Sequence, residues 1–117
     1  AADIGNITNR LVVDGQIYGG VAQGIGLALS EDFEDLEKHT SMVACGIPEP
    51  KDIPDNFDII YIETPREHGP FGAAGVGELP LTSPHVAIVN AINNATGVRI
   101  RALPALPEKV LAGLKAK

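Results

Sequence analysis

Between Ile17 and Leu36 the apolar residues Ile17, Val21, Ile25, Ala28 and Leu36 recur at intervals of three, four or eight, which is the stripe of an amphipathic helix. Leu11-Val12-Val13, just ahead, reads either as a short strand or as the helix entry, and Asp14 can cap the helix by accepting from its first free N–H groups. A second helical pattern runs through Val86, Ile88, Val89 and Ile92, with Ser83 at the N-cap, Pro84 at the first helical position and Gly97 as a left-handed cap. Pro107-Glu108 opens a last helix through Val110, Leu111 and Leu114, and Lys115 and Lys117 suit its C-terminal end. Strand patterns are shorter. Residues 1–4 read as a strand followed by a turn at Gly5-Asn6. Phe57–Glu63 is the strongest strand, and its unbroken Ile59-Ile60-Tyr61-Ile62 run predicts burial on both faces. Val98–Arg101 alternates as a short amphipathic strand. The pattern is α+β, in short pieces.

Two polar stretches separate these elements. Glu31, Asp32, Glu34, Asp35 and Glu37 form a solvated tail on the first helix, where acid opposes the helix dipole and the helix is expected to fray. A calcium loop would need a central glycine among alternating ligands, and none is present. Residues 40–57 read as a linker punctuated by Pro48, Pro50 and Pro54. Cys45 lies there beside Gly46 as a small packed residue, with no adjacent His or Lys to lower its pKa.

Glycine placement adds the chemistry. The first helix carries Gly19, Gly20, Gly24 and Gly26, each costing roughly 1 kcal/mol against alanine in a helix interior. They mark a side where something packs very close, with Gln23 in its middle. That something is either a ligand or a neighbouring element; in the second case Gln23 is a solvated polar residue. The densest cluster is His68-Gly69-Pro70-Phe71-Gly72-Ala73-Ala74-Gly75-Val76-Gly77-Glu78-Leu79-Pro80, with four glycines around one site-like carboxylate. It reads either as a plain connecting loop or as a backbone surface lining a cofactor, with Glu78 as the reacting acid. His85 falls in a first helical turn, and a structural role is expected for it.

Composition narrows the classes. A chain of 117 residues is at most one domain, and its core must be Val, Ile, Leu and Ala, since aromatics are 4% and Trp is absent. A net charge of −6 argues against nucleic-acid or anionic-membrane partners, and no stretch approaches a membrane span. The single Cys45 excludes an internal disulfide and a cysteine-built metal site within the chain. Ala1-Ala2-Asp3-Ile4 has no signal-peptide character and begins as if inside a strand, so the chain is expected to be the C-terminal piece of something longer or part of a split subunit.

Three glycine templates fail. The dinucleotide fingerprint would need Gly or Ala where Leu29 follows Gly24-Ile25-Gly26 and where Pro80 follows Gly75-Val76-Gly77. No Gly-Lys-Ser/Thr exists for a phosphate loop, and neither Ser30 nor Ser83 sits in a nucleophile elbow.

Gly15 to Leu29, with Gln23 inside it, resembles the glutamine-containing helix of the molybdenum hydroxylases, the xanthine dehydrogenase and aldehyde oxidoreductase family. Gly75-Val76-Gly77-Glu78, followed by a Ser-Pro helix start, resembles the loop that carries that family's catalytic glutamate. The resemblance covers nearly the whole chain. It implies that residues 1–117 are the C-terminal part of a molybdopterin-binding catalytic domain, not a self-sufficient enzyme. It further implies that Glu78 is the general base on a Mo–OH group, in hydroxylation of an aldehyde with water-derived oxygen. Gln23 would reach the pterin, and Ala74, Gly75, Val76 and Gly77 would give backbone contacts near the metal, with no protein metal ligand. The cofactor implied is molybdopterin with molybdenum, in its cytosine dinucleotide form as one option, and [2Fe-2S] clusters belong to absent segments or partner chains. Implied partners are the remainder of the catalytic subunit and a small aldehyde or heterocycle, in a homodimeric cytoplasmic or periplasmic enzyme. Xanthine, other N-heterocycles and carbon monoxide stay open as substrates, because the selecting residues lie upstream. A glycine-packed scaffold domain without catalysis is the alternative from another class.

Overall fold

The computed structural model describes residues 1–116, so Lys117 of the expected basic tail lies outside the described residues. The long helix α1 spans Arg10–Leu29. Its cap is Asn9, whose side-chain oxygen accepts from the Val12 N–H at 3.2 Å, so Leu11-Val12-Val13 is helix entry and the cap is not Asp14. Asp14 instead lies in the helix and accepts from the Tyr61 hydroxyl. The Arg10 guanidinium stacks over the same Tyr61 ring, 4.6 Å from its centre.

At the other end α1 stops before the acidic run, seven residues short of Leu36. The cause is local: Asp32 accepts from the Glu34 N–H and Asp35 accepts from the Glu37 and Lys38 N–H groups. Such short-range side-chain acceptors take amides that a helix would use. Phe33 and Leu36 are exposed, the latter by 81%. Ser30 and Glu31 donate to the Gly26 carbonyl, and the Ser30 hydroxyl donates to the Gly46 carbonyl at 2.6 Å, closing the helix end onto the segment around Cys45. Cys45 is buried there as a small packed residue.

Strand β1 (Ala2–Asp3) pairs in parallel with β2 (Tyr61–Ile62), Ala2 opposite Tyr61 and Asp3 opposite Ile62. The rest of the predicted 57–63 strand is extended without a ladder, although the Ala2 N–H reaches the Ile60 carbonyl at 2.9 Å. Burial on both faces does not hold. Phe57, Ile59 and Tyr61 pack toward α1, while Ile60 and Ile62 are 63% and 52% exposed, because among the described residues nothing covers the outer face. The core is centred on Ile4, Val13 and Ile17, with Val76 of the glycine loop packed against it.

Helix α2 (Pro84–Thr96) starts after Ser83 and ends on left-handed Gly97, as its sequence signals predict; the Ser83 side chain makes no capping bond. Helix α3 (Pro107–Lys115) follows. Residues 98–101 form no strand, although Val98 is buried and Arg99 and Arg101 are exposed as the alternation predicts. Instead the Val98 N–H folds back to the Thr96 hydroxyl, and the segment runs irregularly to Ala105, whose N–H meets the Ala28 carbonyl at 2.6 Å. No helix among the described residues is long and apolar enough to cross a membrane.

Candidate functional site

Helix α1 has a closed side and an open side. On the closed side, a Cβ added to Gly20 or Gly24 would collide with Pro80 or Pro84. On the open side, a Cβ at Gly15 or Gly19 would meet none of the described residues within 4 Å, and the same holds at Gly75 and Gly77 of the loop. Gly15, Gln16, Gly19, Gly20, Gln23 and Gly77 together line an open cavity of about 340 Å³. The structure therefore brings Gln23 to the residue preceding Glu78, although the two motifs are far apart in sequence.

The loop is half stitched and half free. The Gly72 carbonyl accepts from the Asn6 and Arg66 N–H groups at 3.0 and 2.9 Å. The Asn6 side-chain amide donates to the Phe71 carbonyl at 2.8 Å. This corner needs left-handed backbone at Phe71 (φ 54°) and Gly72 (φ 77°), of which only the second is free of steric cost. Ala73 donates to Pro70, and Ala74 donates to Ile4 at 2.7 Å. The Ala73 and Ala74 amides are thus committed within the chain. Beyond them, the amides of Gly75, Val76 and Gly77 donate to no group among the described residues. Val76 anchors this free stretch by burying its side chain against the core. Of the backbone contacts expected at Ala74, Gly75, Val76 and Gly77, the Ala74 amide is already used within the chain and the other three are left.

Glu78 precedes the 3-10 turn Leu79–Leu81, is exposed in this chain, and its carboxylate forms no hydrogen bond or ion pair among the described residues. Gln23 is exposed too. The hydroxyl and N–H of Thr64, then the Gly5 N–H and the Arg66 guanidinium, hold Asp3 below the ordinary carboxylate range. The Lys38 ammonium, with backbone donors, does the same for Asp35, and partial burial raises Glu31. His85 sits in the first turn of α2 with its Nδ1 buried and unpartnered. Among the described residues, no group of three or more His, Cys, Asp or Glu side chains converges as a metal cage.

Gln16 lines the same cavity and is the residue of this candidate site that sequence reasoning passed over. A signal was available: Gln16, Gly19 and Gln23 are spaced three and four apart, which stacks them on one face of a helix.

Comparison with known proteins bears on this arrangement. Residues 1–54 match the family model described as a molybdopterin cofactor-binding domain. The chain is 68% identical over 115 residues to an aldehyde oxidoreductase of Megalodesulfovibrio gigas, covering 98% of this chain and 13% of that protein. It is 40% identical over 120 residues to the nicotine 6-hydroxylase large subunit of Paenarthrobacter nicotinovorans, covering 97% of this chain and 15% of that one. Among solved structures, the aldehyde oxidoreductase from Desulfovibrio gigas superposes with a TM-score of 0.94 at 67% identity, over 97% of this chain and 12% of that chain. The chain thus spans 13% and 15% of the length of these two relatives.

Proposed function

The chain belongs to the aldehyde oxidoreductase/xanthine dehydrogenase family, as a portion of its molybdopterin-binding subunit, and from that premise we propose that it forms one wall of a molybdenum–pterin site at which Glu78 is the general base in aldehyde hydroxylation. The observation that carries the reading is the shared cavity: Gln16, Gly19 and Gln23 of α1 face Gly77, the neighbour of Glu78.

The residues present fit such a group. Glycines without close neighbours at Gly15, Gly19, Gly75 and Gly77 leave room for a flat, bulky molecule against the backbone. The amides of Gln16 and Gln23 each offer two donors and one acceptor to a heterocyclic edge. The unpaired N–H groups of Gly75, Val76 and Gly77 suit a group carrying negative charge. Ala74 contributes its carbonyl and small side chain, since its N–H is used internally. When bound, the molybdenum supplies Lewis acidity and accepts the two electrons that the substrate loses.

The part of this chain in the chemistry is proton transfer. Oxidation of an aldehyde with water gives a carboxylic acid, two protons and two electrons. A Glu78 carboxylate oxygen takes a proton from the water-derived oxygen as it attacks the carbonyl carbon, and later passes it to solvent. A positioned base of this kind contributes on the order of 10²- to 10⁴-fold. In the complete, metal-loaded enzyme Glu78→Gln should keep its molybdenum and lose turnover by that factor. Turnover near the unsubstituted rate would refute the base assignment.

An aldehyde is the favoured substrate because the 68% identical relative is an aldehyde oxidoreductase; the 40% identical nicotine 6-hydroxylase subunit makes an N-heterocycle the second reading. In this proposal the cofactor is the cytosine dinucleotide form, and the [2Fe-2S] clusters sit on other segments or chains. The complete enzyme is a cytoplasmic homodimer, with the periplasm as the other compartment. The family resemblance is what supports these finer points.

A further inference from the structure

We propose that Gly20 and Gly24 are positioning residues for Glu78, each receiving a proline from the segment that follows the carboxylate; this rests on the base reading above. A Cβ at Gly20 would lie 2.7 Å from Pro80 Cβ and 3.2 Å from the Leu81 backbone nitrogen. A Cβ at Gly24 would lie 2.6 Å from Pro84 Cβ and 2.9 Å from its Cγ. Both distances to Cβ fall well short of ordinary contact, which begins at 3.4 Å. The glycines are one helical turn apart on α1, and the prolines are four residues apart on the partner segment, so the contact has two rungs.

Neither partner can move aside cheaply. The proline rings are rigid and cannot swing to another rotamer as a long side chain would. Pro80 is buried within the 3-10 turn Leu79–Leu81. That turn is closed by the Leu81 N–H on the Glu78 carbonyl at 3.1 Å and by the Thr82 hydroxyl on the Leu79 carbonyl at 2.8 Å. Displacing Pro80 therefore displaces Glu78. Helix α1 cannot yield instead without shifting Gln16 and Gly19 on its other side, and its Val13 and Ile17 are locked in the core. A single methyl group at position 20 translates into a displacement of the carboxylate by a large part of an ångström.

The test uses the complete, molybdenum-loaded enzyme with benzaldehyde as substrate. Gly20→Ala should retain metal and KM while kcat falls between about 10- and 100-fold, the scale on which an ångström of misplacement acts. Adding Pro80→Gly to Gly20→Ala should return kcat to within about threefold of Pro80→Gly alone, a coupling that non-interacting sites do not show. An unchanged kcat in Gly20→Ala, with Glu78→Gln inactive, overturns the positioning role and leaves the base reading standing. Full turnover in metal-loaded Glu78→Gln overturns the base reading and the positioning role together. Should Gly20→Ala lose its metal, the double variant decides: recovery of metal and turnover supports the paired contact, and failure to recover overturns it.

Discussion

Gly19 and Gly20 are adjacent in sequence and opposite in circumstance. A methyl group at Gly20 collides with Pro80, whereas one at Gly19 meets open space. One side of α1 thus fixes the loop that carries Glu78, and the other lines the cavity beside Gln16 and Gln23. The same residue type serves both sides because both leave the backbone open to close approach, by protein on one side and, in the proposed site, by a ligand on the other. Counting glycines in a helix does not separate the two cases. What lies across from each of them does.

The contrast breaks most visibly at Gly19. Gly19→Phe in the complete enzyme should cut molybdenum content at least tenfold, since a benzyl group fills space that the cofactor needs while leaving the Pro80 contact alone; an unchanged metal-to-protein ratio by elemental analysis would argue that the open side faces no cofactor. A smaller effect is expected at the two amides. Gln16→Ala and Gln23→Ala each remove one hydrogen-bonding partner, and at about 1 kcal/mol per net bond each should speed cofactor loss about fivefold during dialysis. Equal retention in both variants and the parent would remove the glutamines from the site.

The smallest effect belongs to the frame behind the loop. Asp3 accepts from the Thr64 and Gly5 N–H groups and pairs with Arg66, which ties β1 to the segment entering the loop. Its folded pKa is depressed, chiefly by hydrogen bonding from Thr64. A depressed carboxylate stabilises the fold above its unfolded pKa and loses that contribution as pH falls through the folded value. Below the ordinary value of 3.8, then, melting temperature should fall modestly, and Asp3→Asn should flatten that part of the profile. An identical acid limb in the variant would show that the tie carries no stability.

Much of this was legible beforehand, and the failures have specific causes. Pro84, Gly97 and Pro107 set borders of α2 and α3 correctly because a proline at the first helical position and a left-handed glycine past the last are local signals. The end of α1 was misread because Asp32 and Asp35 draw nearby amides into local turns, which a hydrophobic stripe ending at Leu36 does not reveal. Burial of Ile60 and Ile62 depends on what covers them, and among the described residues nothing does. The glycine loop and Gln23 stood out in composition, but their meeting across one cavity is a tertiary fact. Gln16 needed only its three-and-four spacing to be found.

The decisive measurement is a crystal structure of the complete, cofactor-loaded enzyme, with the metal located by its anomalous scattering. Pterin atoms should lie in van der Waals contact with Gly19, within about 4.5 Å, with the Gln16 and Gln23 amides turned toward them and the Glu78 carboxylate facing the metal. A Glu78 side chain directed into solvent, with the open side of α1 covered by another protein segment, would contradict the proposed site.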